Sequence, residues 1–134
     1  SVRGFEFYQI YLDEVNSRDF LFFMQEAIQR LPKDKEITVL MDCATWHKAD
    51  ILKCSDVYRF FCFNAPGVFQ LNIIENAFSA IRSDFRQRAV CDNTTEEVQA
   101  ICDLFSEEVN ERRFKGHYVN FLRTLRQYLR EEAL

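Results

Sequence analysis

The sequence predicts an α/β fold with about three strands and five helices. Residues 37–41 form a short apolar, partly β-branched run that ends abruptly at Asp42, as a buried strand does. Residues 58–63 are a second strand-like run and are almost wholly aromatic. Elsewhere apolar residues recur every three to four positions, which predicts amphipathic helices.

The first elements are a predicted strand and a predicted helix. Residues 5–12 carry apolar or aromatic side chains on both faces, which indicates a strand covered on both sides. Asn16 or Ser17 can cap a helix that runs to about Arg30, and Pro32 with the charged residues after it ends the helix. The buried stripe of this helix is predicted to contain Phe20, Met24, Ala27, Ile28 and Leu31.

The central part follows the strand at residues 37–41. A short helix is predicted from Trp46 to about Cys54, and the strand at residues 58–63 is expected to flank the central one. After the loop at residues 64–67, a helix is predicted at residues 71–89. Its apolar face contains Ile74, Ala77, Phe78, Ile81, Phe85 and Ala89, and its opposite face contains Glu75, Ser79, Arg82 and Arg86.

The last part of the chain, residues 91–134, is predicted to be helical. Thr94 and the glutamate three residues later resemble a capping box that opens a helix ending near Arg112. Gly116 is expected to break the chain before a final helix. The apolar face of that helix contains Tyr118, Phe121, Leu122, Leu125 and Leu129.

Composition indicates a single domain without a membrane anchor. The 134 residues are 48% hydrophobic and contain no run of eighteen apolar residues and no charged-then-apolar leader, so neither membrane insertion nor secretion is supported. The five cysteines form no CxxC pair, which favours reduced thiols in an intracellular protein, although zinc ligation with His47 and His117 is an alternative. A net charge of −4 argues against strong nonspecific nucleic-acid binding, but basic residues concentrate at 82–88 and 112–130.

Two acidic residues have an arrangement that suits divalent cations. Asp42 stands at the carboxyl end of a strand, where ligand sites of α/β sheets collect, and Glu75 stands in the first turn of a helix. Together they are candidate metal ligands. Alternatively, Asp42 only caps the following turn, and Glu75 only takes part in helix capping with Asn72.

Two segments resemble mariner-type DDE transposases. The segment MDCATWHKAD is similar to the family's second-aspartate motif, which is a strand followed by Asp-Asn-Ala and then a His. The segment NAPGVFQLNIIENAFSAIR is similar to the family's Pro-rich loop, Leu-Asn-Pro-Ile-Glu-Asn, an aromatic residue and a basic helix. The two motifs stand in the family's order and at nearly its separation.

The resemblance implies an RNase H-like core that binds two Mg²⁺ or Mn²⁺ ions through three acids and cuts or joins DNA strands. Asp42 would be the second acid and Glu75 the third, both catalytic metal ligands, with His47 close to them. His47, Arg82 and Arg86 are predicted DNA-binding residues. Residues 5–12 resemble the family's third strand, so the first two strands and the first acid are expected to be missing. The chain would be the C-terminal portion of the core.

Departures from the motif favour a second hypothesis. The Asn after the second acid is Cys43 here, the proline of Leu-Asn-Pro is Ile73, and the loop is reduced. Together with the absent first acid, these changes suggest a domesticated, catalytically inactive remnant that acts as an interaction or dimerisation module in a nuclear or other intracellular assembly. The missing strands would leave an unpaired sheet edge, to be covered by residues 5–12, by a second copy or by another protein.

Overall fold

The computed structural model describes residues 1, 3–65, 72–88 and 90–132. The fold is α/β and mostly helical, with five α-helices and, among the described residues, one two-stranded sheet. The chain divides into two compact units. The strand unit is Glu6–Phe69, and the helical unit is Ser1–Phe5 together with Gln70–Leu134.

The strand unit is built around a parallel pair of short strands. Val39 pairs with Phe61, and Met41 pairs with Phe63, so the predicted flanking of the central strand is confirmed. In chain order the elements are α1 (Ser17–Arg30), β1 (Val39–Met41), a 3-10 turn (Thr45–Lys48), α2 (Asp50–Lys53), a second 3-10 turn (Asp56–Phe60) and β2 (Phe61–Phe63).

The core of the strand unit lies between α1, α2 and the second 3-10 turn. Leu21, Met24, Leu52 and Val57 are buried, and Phe20, Phe23, Ile28 and Phe61 pack against them. Helix α1 begins as predicted, because the Asn16 side chain accepts from the Arg18 and Asp19 backbone N–H groups while the Asp19 carboxylate accepts from the Asn16 N–H. Leu52 has no solvent exposure. The transfer of its side chain from water into the core contributes about 2 kcal/mol to stability.

Two strand predictions need correction. Residues 5–12 form no strand and do not pair with β1; instead Phe7 stacks on Phe23 of α1 at 5.2 Å between ring centroids, and Gln9 donates to Glu26. The aromatic residues in this segment therefore pack against other side chains, such as Phe23 of α1, and the segment forms no β-ladder. The strand predicted at residues 58–63 begins only at Phe61, because the preceding residues form the 3-10 turn.

The helical unit contains α3 (Ile73–Arg88), α4 (Thr94–Ser106) and α5 (Val109–Glu132), and α3 packs against both of the others. A turn at the N-terminus places the Phe5 ring 4.3 Å from that of Phe105 and 4.9 Å from that of Phe114. The turn requires a φ of +115° at residue 4, which glycine supplies at little cost. Among the described residues of this unit, the buried apolar ones are Ala77, Ile81, Leu104 and Phe114.

The ends of the last helices differ from the sequence-based expectation. Asn93, not Thr94, caps α4, since its side chain accepts from the Glu96 N–H at 3.0 Å. Helix α4 ends at Ser106 rather than near Arg112, because the buried Asn110 amide donates to the carbonyls of Leu104 and Phe105. Gly116 does not break the chain, and α5 is continuous through it. The predicted ends of α3, Leu71 and Ala89, lie outside the described residues.

None of the described helices combines the length and the apolar character needed to span a membrane.

Candidate functional site

Asp42 directly follows β1, at the carboxyl end of the parallel pair, as the sequence predicts. The pairing continues one residue further, because Asn64 N–H donates to the Met41 carbonyl at 2.8 Å. The Asp42 side chain is 52% exposed, and its Oδ1 accepts from Ala44 N–H at 3.1 Å. Asp42 therefore caps the turn after the strand, while Oδ2 has no partner among the described residues.

His47 lies beside Asp42 because the 3-10 turn folds the chain back toward the strand end. Its Nδ1 is 2.8 Å from Asp42 Oδ1, which is ion-pair range if the imidazole is protonated. The approach lacks hydrogen-bond geometry, so Nδ1 has no hydrogen-bond partner among the described side chains and backbone groups. The ring is buried, with its centroid 4.8 Å from that of Phe20 and 3.9 Å from that of Trp46.

Cys43 occupies the position where the related motif has an asparagine. Its thiol donates to the Asn64 carbonyl at 2.8 Å, so it joins the ends of β1 and β2. A thiol held in this way supplies no amide next to Asp42. All five cysteines are free thiols.

Glu75 lies in the first turn of α3, and its carboxylate is exposed. The buried Asn72 opens the helix: its Oδ1 accepts from Ile74 N–H at 3.3 Å, and its carbonyl accepts from Glu75 N–H at 3.2 Å. The Glu75 carboxylate makes no hydrogen bond or ion pair with any described residue, so it is not used in the cap. It remains available to a ligand.

Arg82 and Arg86 share the exposed face of α3 with Glu75, as predicted. The helical rise places their Cα atoms roughly 10 Å and 16 Å along the axis from that of Glu75. Neither guanidinium pairs with a carboxylate of the described residues, whereas Arg88 pairs with Glu107 at 2.6 Å. Both are free to contact an anion such as phosphate.

The predicted convergence of Asp42 and Glu75 stays a prediction. Asp42 belongs to the strand unit and Glu75 to the helical unit, and each is positioned within its own unit. Over the described residues, no group of three or more His, Cys, Asp or Glu side chains is arranged to hold a metal ion. The absence of such a group among the described residues also covers zinc ligation by the cysteines with His47 and His117. The pKa of His117 is lowered by burial and secondarily by the charge of Arg113.

Sequence reasoning missed the aromatic setting of His47. Phe20 was predicted as a core residue of α1, but its ring also meets Trp46 edge-on at 4.9 Å and so helps to enclose the imidazole. The adjacent Trp46-His47 pair indicates one of these ring contacts, but the contact with Phe20 brings in a side chain 27 positions earlier and has no local signal.

Comparisons of the chain with protein-family models, with curated proteins and with solved structures found no match.

Proposed function

We propose that this chain is a transposase-derived domain of the mariner-like DDE class, holding the second and third acids of an RNase H-like core. Its chemistry would be metal-dependent cleavage and joining of DNA phosphodiester bonds. Asp42 and Glu75 would hold Mg²⁺ or Mn²⁺, and Arg82 and Arg86 would contact the DNA backbone. The proposal rests chiefly on the position of Asp42, a half-exposed carboxylate at the carboxyl end of a parallel strand pair with one free oxygen.

The surroundings of each residue agree with these roles. Asp42 Oδ1 is fixed by Ala44 N–H and faces His47 Nδ1, so Oδ2 is the oxygen available to an ion. Glu75 and the two arginines lie on one exposed helix face, and none of the three forms an ion pair with another described residue. An anionic strand lying along that face would place its phosphates beside both the arginines and the bound metal.

Efficient catalysis requires a further carboxylate. Two metal ions about 4 Å apart repel each other and need bridging or additional acidic ligands. Magnesium also demands near-octahedral geometry and gives up its water reluctantly. The proposed activity of this domain therefore depends on a third acid in addition to Asp42 and Glu75.

Calorimetric titration with Mn²⁺ tests the proposal. Mn²⁺ is expected to bind the unaltered chain, and both Asp42→Asn and Glu75→Gln should weaken binding by about tenfold or more, since each removes a ligand. If the two residues hold the same ion, either single substitution already disrupts the shared site. The double variant should then lose less binding free energy than the sum of the losses in the two single variants. Asp50→Asn is the matched control, because the Asp50 carboxylate is 96% exposed and pairs only loosely with Lys53 at 3.7 Å.

Heats that do not change in Asp42→Asn would refute the metal-binding role. If the loss of binding free energy in the double variant equals the sum of the losses in the two single variants, Asp42 and Glu75 act independently, which contradicts a shared site. Loss of binding in Asp50→Asn as well would indicate nonspecific attraction of cations to an acidic chain.

A second function is favoured by the small size of the sheet. In the part of the chain that the structure describes, β1 and β2 pair only with each other, so each has one edge without ladder partners. Leu40 of β1 is also 41% exposed. Such an edge recruits another strand, and this supports a catalytically silent module that dimerises or binds a protein through β1 or β2. Size-exclusion chromatography with light scattering tests the dimer: a monomer at micromolar concentration would exclude it.

A further inference from the structure

The second half of α5 presents an apolar stripe that the helical unit leaves partly uncovered. The stripe, here named the α5 seam, consists of Tyr118, Leu122, Leu125 and Leu129. Tyr118 is 39% exposed and Leu129 58%, while the two central leucines are half-buried. Their spacing of four, three and four residues is that of alternating core positions in a heptad repeat, the pattern by which one helix packs along another.

Arginines flank one side of the α5 seam. Arg126 lies next to the seam, and Arg123 and Arg130 lie one position further round the helix. All three are exposed, and none is within ion-pair distance of a carboxylate on the described residues. Two other basic residues of α5 are neutralised locally: Arg113 pairs with Asp84, and Lys115 pairs with Glu111.

The arginine flank differs in charge from the chain as a whole. The whole chain has a net charge of −4, yet no acidic residue occurs between positions 112 and 130. The nearest acid of α5 is Glu131, which lies beyond the arginines and accepts a hydrogen bond from Gln127. A positive flank beside an apolar stripe is complementary to a surface that combines apolar and acidic groups.

We propose that the α5 seam is a docking site for an amphipathic helix of another protein, one whose apolar stripe is flanked by Glu or Asp. Leucine-type side chains of the partner would pack between Tyr118, Leu122 and Leu129, and its carboxylates would pair with the arginine flank. This is the helix-in-groove mode of recognition, with heptad spacing for the apolar contact and flanking charges for orientation. The proposal does not depend on the proposed nuclease function.

Two other occupants fit the surface less well. In an antiparallel pair with a second copy of α5, Arg126 would face its own equivalent or Val119, so no carboxylate would pair with it across the contact. A phosphate backbone would satisfy the arginines but would leave the apolar side chains of the seam in water. An acidic amphipathic helix matches both halves of the surface.

Fluorescence anisotropy with a synthetic peptide tests the proposal on the full chain. The probe is a labelled four-heptad peptide with Leu at the core positions and Glu at the flanking positions; its mutually repelling glutamates oppose self-association. The triple variant Arg123→Ser, Arg126→Ser and Arg130→Ser should weaken binding by roughly tenfold, because each exposed ion pair contributes modestly. The matched control, Arg18→Ser, Lys33→Ser and Lys35→Ser, removes the same charge from exposed sites and should leave binding unchanged.

The apolar half of the interaction is tested separately. Leu129→Ser should weaken binding of the same peptide by tenfold or more, whereas Leu12→Ser, which alters a side chain that is 75% exposed outside the helical unit, should not. Both Leu variants are checked by circular dichroism for retained helix. Leu129 is exposed, so its substitution should not unfold the unit.

Three results would overturn the proposal. The first is tighter binding of a 20-base-pair DNA duplex or of phosphatidylserine vesicles than of the peptide, with the same dependence on the arginines, which would identify a phosphate ligand. The second is a dimer in light scattering that Leu129→Ser dissociates, which would identify a second copy. The third is equal weakening by both triple variants, which would reduce the effect to overall charge.

Discussion

Each of the two units is stabilised internally by a different kind of contact. In the strand unit, aromatic and aliphatic side chains converge on Leu52, which is completely buried, and Phe20 alone contacts four other rings. In the helical unit the contacts between helices include charged groups that lie partly inside. Asp84 of α3 is only 13% exposed and pairs with Arg113 of α5, while Arg88 of α3 pairs with Glu107 just after α4.

The difference follows from what each element offers for burial. Helix α1 and the strands supply large rings, so the strand unit gains stability mainly from removing apolar surface from water. Helices α3 and α5 are rich in arginine and bury few large apolar side chains. The contact between α3 and α5 includes the Arg113–Asp84 ion pair, and the Asn110 side chain of α5 satisfies two carbonyls at the end of α4.

The largest expected effect is the loss of apolar packing in the strand unit. Leu52→Ala removes a core side chain that has no exposure, and should lower the free energy of unfolding by about 3 kcal/mol. Trp46 fluorescence during urea denaturation measures this, since it is the only tryptophan and lies in this unit. The neighbouring Ile51, which is 40% exposed, provides the control: Ile51→Ala should cost less than about 1 kcal/mol. Similar losses in both variants would contradict a core centred on Leu52.

The next effect concerns the charged contact of the helical unit. Asp84→Asn should lower the free energy of unfolding by about 2 kcal/mol, because it leaves the half-buried Arg113 guanidinium without its carboxylate partner. Asp103→Asn changes an exposed acid on α4 that only accepts from Gln99, and should have an effect within about 0.5 kcal/mol. Far-ultraviolet circular dichroism during denaturation compares them. Equal effects would mean that the ion pair is incidental and that both units rely on apolar burial.

Elements that depend on local sequence signals could be predicted, and elements that depend on distant contacts could not. Helix α1 and the exposed face of α3 follow from apolar spacing and from Asn16, which act locally, and the two strands follow from their short apolar and aromatic runs. Residues 5–12 were predicted wrongly because their alternating side chains pack onto other elements instead of entering a ladder. The end of α4 was predicted wrongly because it is set by Asn110, a side chain several residues beyond the helix.

The candidate site divides in the same way. The position of Asp42 at a strand end and of Glu75 in the first turn of a helix could be read from sequence, because each depends on one local element. The burial of His47 between Phe20 and Trp46 could not, since it depends on α1 packing against a distant 3-10 turn. The meeting of Asp42 with Glu75 depends on the arrangement of two separate units and stays a prediction.

The smallest effect, that of Gly116→Ala, tests whether α5 is one continuous helix. Gly116 lies inside this helix, and a Cβ added there would have nothing within 4 Å, so Gly116→Ala should raise the free energy of unfolding by about 0.8 kcal/mol through lower chain entropy in the unfolded state. Gly116→Pro should instead cost about 3 kcal/mol, because proline removes a helical hydrogen bond. Thermal denaturation followed by circular dichroism measures both. A chain break at residue 116 would give the opposite pattern, with proline tolerated and alanine neutral or unfavourable, and α5 would then be two short helices rather than one continuous support for its exposed seam.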